Sequence, residues 1–270
     1  MGKVRRQAKA IMGTNNQRQI VFAVNCFAMD NDDRYPESMA AMTEFGSNVW
    51  HWQEPTMMTA CYRRPSLEHR SISAYLRSYI PDASVMFSPS APKKYEYLQE
   101  AWDAGDDWDN PESSYPTDSL CGTYCFYWNY IGFLVDNERP FRGPRNPAAG
   151  RGESKLLVSD YFGFGHWRNK KTYGSTKAYG SSEKFSGAGI TPGTEASSAF
   201  WSRLASDGNI NLNTLNIKLH AGYTDGHVES YSPAETVPMK VSFTSDGRVP
   251  YPGSYSTNPG IFYLPKNGLR

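Results

Sequence analysis

Asp225-Gly226-His227-Val228-Glu229-Ser230-Tyr231-Ser232-Pro233 reads as a tight turn running into a strand. Before it, Leu215, Ile217, Leu219 and Ala221 alternate with polar or small residues. After it, Val228 and Tyr231 resume the apolar side. Asp-Gly signals a hairpin because Gly accepts positive φ and the Asp carboxylate bonds nearby backbone N–H groups. The stretch predicts a β-hairpin over 213–232, closed by a type I′ or related turn, with His227 opening the outgoing strand. A metal pair of Asp225 and His227 is the sharper reading of the same residues.

Working outward, further runs predict antiparallel strands. Tyr124 to Val135 and Leu156 to Phe164 are dense in apolar residues and read as buried strands. Met239 to Phe243 and Gly260 to Leu264 read as two more, with Ser245-Asp246-Gly247-Arg248 as the turn after the first. Residues 137–153 read as an exposed loop. Two insertions interrupt the pattern. One, at about 99–119, is acidic, with Asp103, Asp106, Asp107, Asp109 and Glu112. The other, at about 165–210, is Gly/Ser-rich. Residues 66–79 predict a short helix with Ser66 as N-cap.

The chain begins with a different period. Val4, Ala8 and Ile11 share one helical face, and Ile20, Val24 and Phe27 share another, over residues 3–30. No Pro interrupts this stretch, and Gly13 is the internal breaker. Its first half is more polar, so the C-terminal half is expected to bury and the N-terminal half to project or need a partner. The order is one long helix, then strands: an α+β layout with a sheet packed on a helix. Residues 1–30 form the N-terminal helix and 31–270 the globular α+β head.

Composition removes some functions. The 270 residues carry a net charge of +1, so no bulk electrostatic argument favours nucleic acid. Basic residues cluster only at Lys3, Arg5, Arg6 and Lys9. No apolar run reaches the roughly 18 residues of a membrane span. The four cysteines Cys26, Cys61, Cys121 and Cys125 lack zinc spacing. On one strand Cys121 and Cys125 would lie about 13 Å apart, too far for a disulfide. Small buried hydrophobes are the default, and a bridge involving Cys26 or Cys61 stays open.

Catalytic patterns are absent. There is no Gly-x-Ser-x-Gly elbow, and His51, His69, His166, His220 and His227 are scattered. No carboxylate pair is singled out for glycoside hydrolysis. Asp30, Asn31, Asp32 and Asp33 resemble the start of a calcium loop, but residue 41 is Ala where that loop needs Glu. A helix-ending Asx turn is the better reading there. Asp103, Asp106, Asp107 and Asp109 read by default as a solvated loop. The aromatic groups Trp50, Trp52, Tyr62 and Trp102, Trp108, Tyr115 read as packing or, alternatively, as a sugar-stacking platform.

Four motifs together carry a family resemblance. Asn15-Asn16-Gln17-Arg18-Gln19-Ile20 is followed by Asp30-Asn31-Asp32-Asp33-Arg34-Tyr35-Pro36, then Phe87-Ser88-Pro89-Ser90-Ala91-Pro92, and finally Tyr223-Thr224-Asp225-Gly226-His227-Val228-Glu229. In this order they resemble prepilin-like proteins: type II secretion pseudopilins and their expanded planctomycete- and lentisphaera-type subfamily. The family-signature residues are Asn16, Arg18, Gln19, Asp30, Asn31, Tyr35, Pro36, Asp225, Gly226 and His227. The resemblance implies a pilin-like fold and a non-enzymatic structural subunit of a secretion or surface-filament assembly. It implies pilin-like or secretion-system partners and a head in the periplasm or at the cell surface. It also implies a membrane helix ahead of Gly2, whose basic flank would be Lys3 to Arg6. No cofactor is implied beyond the calcium some relatives bind. The chain departs from the pattern at Ser88, where Cys is usual, at Gly13, where many relatives carry Cys, and at Leu215, where the larger subfamily has His. A glycan- or partner-binding module on the same head is the rival expectation, and a hydrolase a distant third.

Overall fold

The computed structural model describes residues 2–43, 50–52, 55–61, 69–89, 97–108, 120, 122–134, 140–164, 218–241 and 261–269. The chain is mixed α+β, with a helix at its N-terminus and antiparallel sheets after it. Helix α1, Gly2–Asp30, runs 29 residues without a Pro or a β-branched run to stop it. It ends where Asn31 and Asp33 both donate their backbone N–H to Ala28 O, at 3.0 and 2.9 Å. Asp32 and Asp33 take left-handed φ of 52° and 55°, which closes the helix end. The Asp30–Asp33 cluster is thus a helix terminus, as its Asx reading anticipates.

Short strands follow. β1 (Ala41–Thr43) pairs with β2 (Trp50–Trp52), and β3 (Thr59–Cys61) pairs with β4 (His69–Ser71). Helix α2 spans only Ile72–Leu76, not 66–79. The β3–β4 ladder claims His69 to Ser71 as strand. Ser71, rather than Ser66, caps the helix by accepting the Ser73 N–H at 3.3 Å. Helix α3, Leu98–Ala104, occupies the start of the expected acidic insertion.

The remaining strands are β5 (Tyr124–Phe126), β6 (Ile131–Leu134), β7 (Pro140–Arg142), β8 (Leu156–Asp160), β9 (Gly163–Phe164), β10 (Leu219–Tyr223), β11 (Val228–Tyr231), β12 (Thr236–Val241) and β13 (Ile261–Pro265). Among the described residues they form a four-stranded sheet in the order β11-β10-β8-β5 and a five-stranded sheet in the order β7-β6-β12-β13-β9. This corrects the single-sheet expectation in two places. The run Tyr124 to Leu134 breaks at Asn129, whose φ is 52°, and its halves join different sheets. The run Leu156 to Phe164 ends its first strand at Asp160, and β9 pairs with β13 instead. A continuous apolar run does not reveal which sheet each half will join.

The layers follow from strand alternation. Gly222, Val158 and Phe126 share one face of the four-stranded sheet by register, and Val21 of α1 packs against Gly222 there. A Cβ on Gly222 would stand 2.6 Å from Val21 Cγ2, so glycine sets the closeness of helix to sheet. Ile20, Val21, Val24 and Ala28 are buried in this layer. Phe27, expected on the sheet, instead meets Tyr75 edge-on, at 5.6 Å and 90°. The opposite face, with Leu219, Ala221 and Tyr223, buries against Met239, Leu264 and Phe141 of the second sheet. The order is helix, sheet, sheet. Leu215, Ile217, the turn at 245–248 and the insertion at 165–210 lie outside the described residues.

Candidate functional site

The underside of α1 brings together three buried polar side chains. Gln17 falls on the apolar side of the helix, one turn before Ile20 and Val21. Its Nε2 donates to Asp160 Oδ1 at 3.1 Å and to His220 O at 3.2 Å. Asp160 Oδ2 accepts the His220 backbone N–H at 2.8 Å and lies 3.0 Å from His220 Nδ1. All three residues are buried. A buried carboxylate is costly unless hydrogen-bonded, and here the helix supplies one donor and β10 the others. Gln17 Oε1 is left buried without a partner. Across the ladder, Tyr124 stands opposite Asp160. Burial drives its hydroxyl well above the ordinary 10.0, and the Asp160 charge adds to that.

Two more amides fasten the helix. Asn16 Nδ2 donates to Phe87 O at 3.0 Å and Ser84 O at 3.5 Å. Asn25 Nδ2 donates to Thr224 O at 3.1 Å and Asn25 Oδ1 accepts the Tyr35 hydroxyl at 2.7 Å. Tyr35 donates its N–H to Arg145 O at 3.0 Å. The Tyr35 and Pro36 carbonyls accept Asn129 Nδ2 at 3.1 and 2.7 Å. Asn25 thus joins the helix and the Asp30–Pro36 turn that follows it to the hairpin tip, whose Thr224 lies 199 positions away.

The hairpin turn is one residue longer than a two-residue type I′ connection. Gly226 donates to Tyr223 O at 2.9 Å, and Tyr223 donates to His227 O at 3.1 Å. Among the turn residues only Gly226 has positive φ, at 91°. This is a type I turn closed by a glycine bulge, which needs one left-handed residue where type I′ needs two. The His227 ring stacks on Tyr223 with centroids 4.5 Å apart, and its Nδ1 bonds Asp225 Oδ1. Partial burial raises the Asp225 pKa, but the His227 hydrogen bonds and charge outweigh this and hold it below its ordinary value. The Tyr223 hydroxyl donates to Glu229, which also accepts Asn267 Nδ2 at 3.2 Å.

Of the signature residues, Asn16, Tyr35 and Pro36 sit at the helix–head seam. Asp225, Gly226 and His227 form the hairpin tip beside it. Asp30 accepts the Tyr79 hydroxyl at 2.5 Å, and Asn31 Nδ2 caps Phe27 O at 2.7 Å. Arg18 and Gln19 lie exposed on α1 and take no part in this seam. Sequence reading missed Gln17, Asn25, Asp160 and His220. Gln17 was legible as an amide inside an apolar helical face, and Asp160 as a charge ending an apolar strand. The partners were not legible, because they come from residues 143 to 203 positions away.

Other expected sites resolve differently. Asp106 Oδ1 accepts the Ser71 N–H at 2.7 Å and so ties the insertion to β4, while Asp103 Oδ1 accepts Gln99 Nε2 at 2.9 Å within α3 and Asp107 is exposed. Asp109 and Glu112 lie outside the described residues. Among the described residues no group of three or more His, Cys, Asp or Glu is placed to hold a metal. Trp102 and Trp108 are core residues, with Trp102 Nε1 bonded to Ile80 O at 2.7 Å. They offer no open ring face for sugar stacking, which corrects that alternative for this pair; Tyr62 and Tyr115 lie outside the described residues. Cys26 is a free thiol, and Cys125 is buried between the sheets. No family model, curated protein or solved structure matches this chain.

Proposed function

We propose that the chain is a pseudopilin-like structural subunit of a type II secretion or surface-filament assembly. In its native form it is anchored in the bacterial cytoplasmic membrane, with the head in the periplasm or at the cell surface. Its partners are other pilin-like subunits or secretion-system components, and the role calls for neither catalysis nor a cofactor.

The observation that carries this reading is the division of α1. From Gly13 onward its inner side is fastened to the head by Asn16, Gln17 and Asn25 and by the burial of Ile20, Val21 and Val24. Before Gly13 its described residues run exposed or half-exposed. A helix that leaves its head in this way suits a subunit that joins others through its spine. The order of the four motifs supports the same reading. The rival, a glycan-binding module, draws nothing from Trp102 and Trp108.

No helix among the described residues is long and apolar enough to cross a membrane. The reading therefore requires an apolar segment of about 20 residues ahead of Gly2 in the native reading frame. Sequencing the native locus and fractionating the native cells tests it. An upstream apolar segment and a membrane-bound product are expected. A frame that opens at Met1 with a freely soluble product overturns the reading.

A further inference from the structure

On the side turned away from the head, α1 carries a second apolar line. Val4, Ile11, Phe22 and Met29 are 71%, 62%, 70% and 77% exposed. Their spacings of seven, eleven and seven bring them to one stripe of a helix with 3.6 residues per turn. Asn15 and Arg18, also exposed, continue the stripe between the two apolar pairs. A single exposed apolar residue is ordinary. A line of them along the whole helix marks a surface that something covers.

Two features select the occupant. The first is symmetry. Val4 and Met29, Ile11 and Phe22, and Asn15 and Arg18 are each placed symmetrically about the midpoint between Asn16 and Gln17. When two copies of α1 run antiparallel, Val4 therefore faces the partner's Met29 and Ile11 faces the partner's Phe22. Arg18 faces the partner's Asn15. A parallel pair would set Arg18 against the partner's Arg18. The second feature is charge. The first nine residues hold Lys3, Arg5, Arg6 and Lys9 and no acid, while the far end holds Asp30, Asp32 and Asp33 against one base, Arg34, all four exposed. Antiparallel pairing brings these opposite ends together, and parallel pairing sets basic on basic. Arg5 and Asp30 each follow a stripe residue by one position, so they flank the seam on the same side.

We propose that the outward stripe of α1 is a self-association seam, in which two copies pair antiparallel about a two-fold axis between Asn16 and Gln17. An isologous contact of this kind closes at two copies. The proposal stands on the seam alone and not on the assembly reading above. Antiparallel helices send their N-termini in opposite directions, so the pair is the form taken by chains not anchored side by side in one membrane. While paired, the stripe is hidden from any other helix.

Sedimentation velocity of the 270-residue chain over a dilution series tests association. A reversible monomer–dimer equilibrium is expected, with Phe22→Glu weakening it by roughly tenfold or more. Far-UV circular dichroism should be unchanged, because Phe22 does not touch the core. Orientation is read by disulfide trapping in a Cys26→Ser background. Val4→Cys and Met29→Cys proteins should cross-link when mixed, and neither should exceed the Cys26→Ser background alone. A chain that stays monomeric, a dimer indifferent to Phe22→Glu, or Val4→Cys cross-linking to itself overturns the proposal.

Discussion

At the scale of single residues, two glycines on β10 and its turn act for opposite reasons. Gly222 is a matter of space. An added methyl would meet Val21 Cγ2 at 2.6 Å and Val158 Cγ1 at 3.1 Å, and both are stiff β-branched side chains. Gly222→Ala is expected to destabilise the chain by about 1–3 kcal/mol in urea unfolding, the usual range for overpacking. Val21→Ala in the same protein should recover part of that loss, because the two sites share one contact. Gly226 is a matter of backbone. Nothing lies within 4 Å of its missing Cβ, yet its φ is 91°. Gly226→Ala should cost about 1 kcal/mol through strain alone, and no second-site truncation should relieve it.

At the scale of elements, Asn25 tests how the helix and the hairpin are joined. Its amide carries bonds to Thr224 O and from the Tyr35 hydroxyl. Asn25→Ala is expected to cost about 1–3 kcal/mol. Hydrogen exchange should quicken in the 223–227 turn and around Tyr35, while β12 and β13 keep their protection. Loss of protection across the second sheet would contradict the layered arrangement. The loop at 145–153 has an acid dependence of its own. Burial raises the Glu153 pKa, but hydrogen bonds from the Gly150 N–H and from Arg145 outweigh it and leave the net shift downward. A carboxylate depressed in the fold stabilises it above the ordinary value of 4.5, and that contribution fades as pH falls below it. Thermal melts from pH 6 down to about pH 3 should therefore decline less steeply in Glu153→Gln than in the parent.

At the scale of the whole molecule, the tyrosines report the two cores. Tyr124 faces α1, while Tyr127 and Tyr231 lie between the sheets. Burial is the first cause that raises all three well above 10.0. A phenol whose pKa is raised in the fold stabilises it below pH 10, and the contribution is lost as pH climbs above that value. Titration followed at 295 nm should show exposed tyrosines ionising first. These three should ionise only in a later step that coincides with loss of near-UV circular dichroism. Ionisation of all tyrosines in one smooth curve near pH 10 would contradict the sealed cores.

Much of the layout was legible because it is local. The helix over 3–30 follows from period and the lack of breakers, and the hairpin follows from Asp-Gly. Asp30 to Asp33 read as a helix end because Asx residues tolerate left-handed backbone. Legibility failed where partners are distant. The run Tyr124 to Leu134 looks uniform, yet a turn at Asn129 sends its halves into two sheets. Residues 66–79 hold a helical pattern, but pairing with Thr59 to Cys61 takes three of them as strand. His220 looked like one of five scattered histidines until the fold set it beside Asp160 and under Gln17.

The sequence by itself determined that this chain begins with a long helix, apolar along its inner C-terminal half, and continues in antiparallel strands. Those outcomes depend on period and turn chemistry, which act over a few residues. Only the tertiary structure decided the helix–sheet–sheet order, the closeness of α1 to Gly222, and the buried union of Gln17, Asp160 and His220. These depend on which surfaces meet, and a buried polar group declares its partner only once the chain has brought the two together.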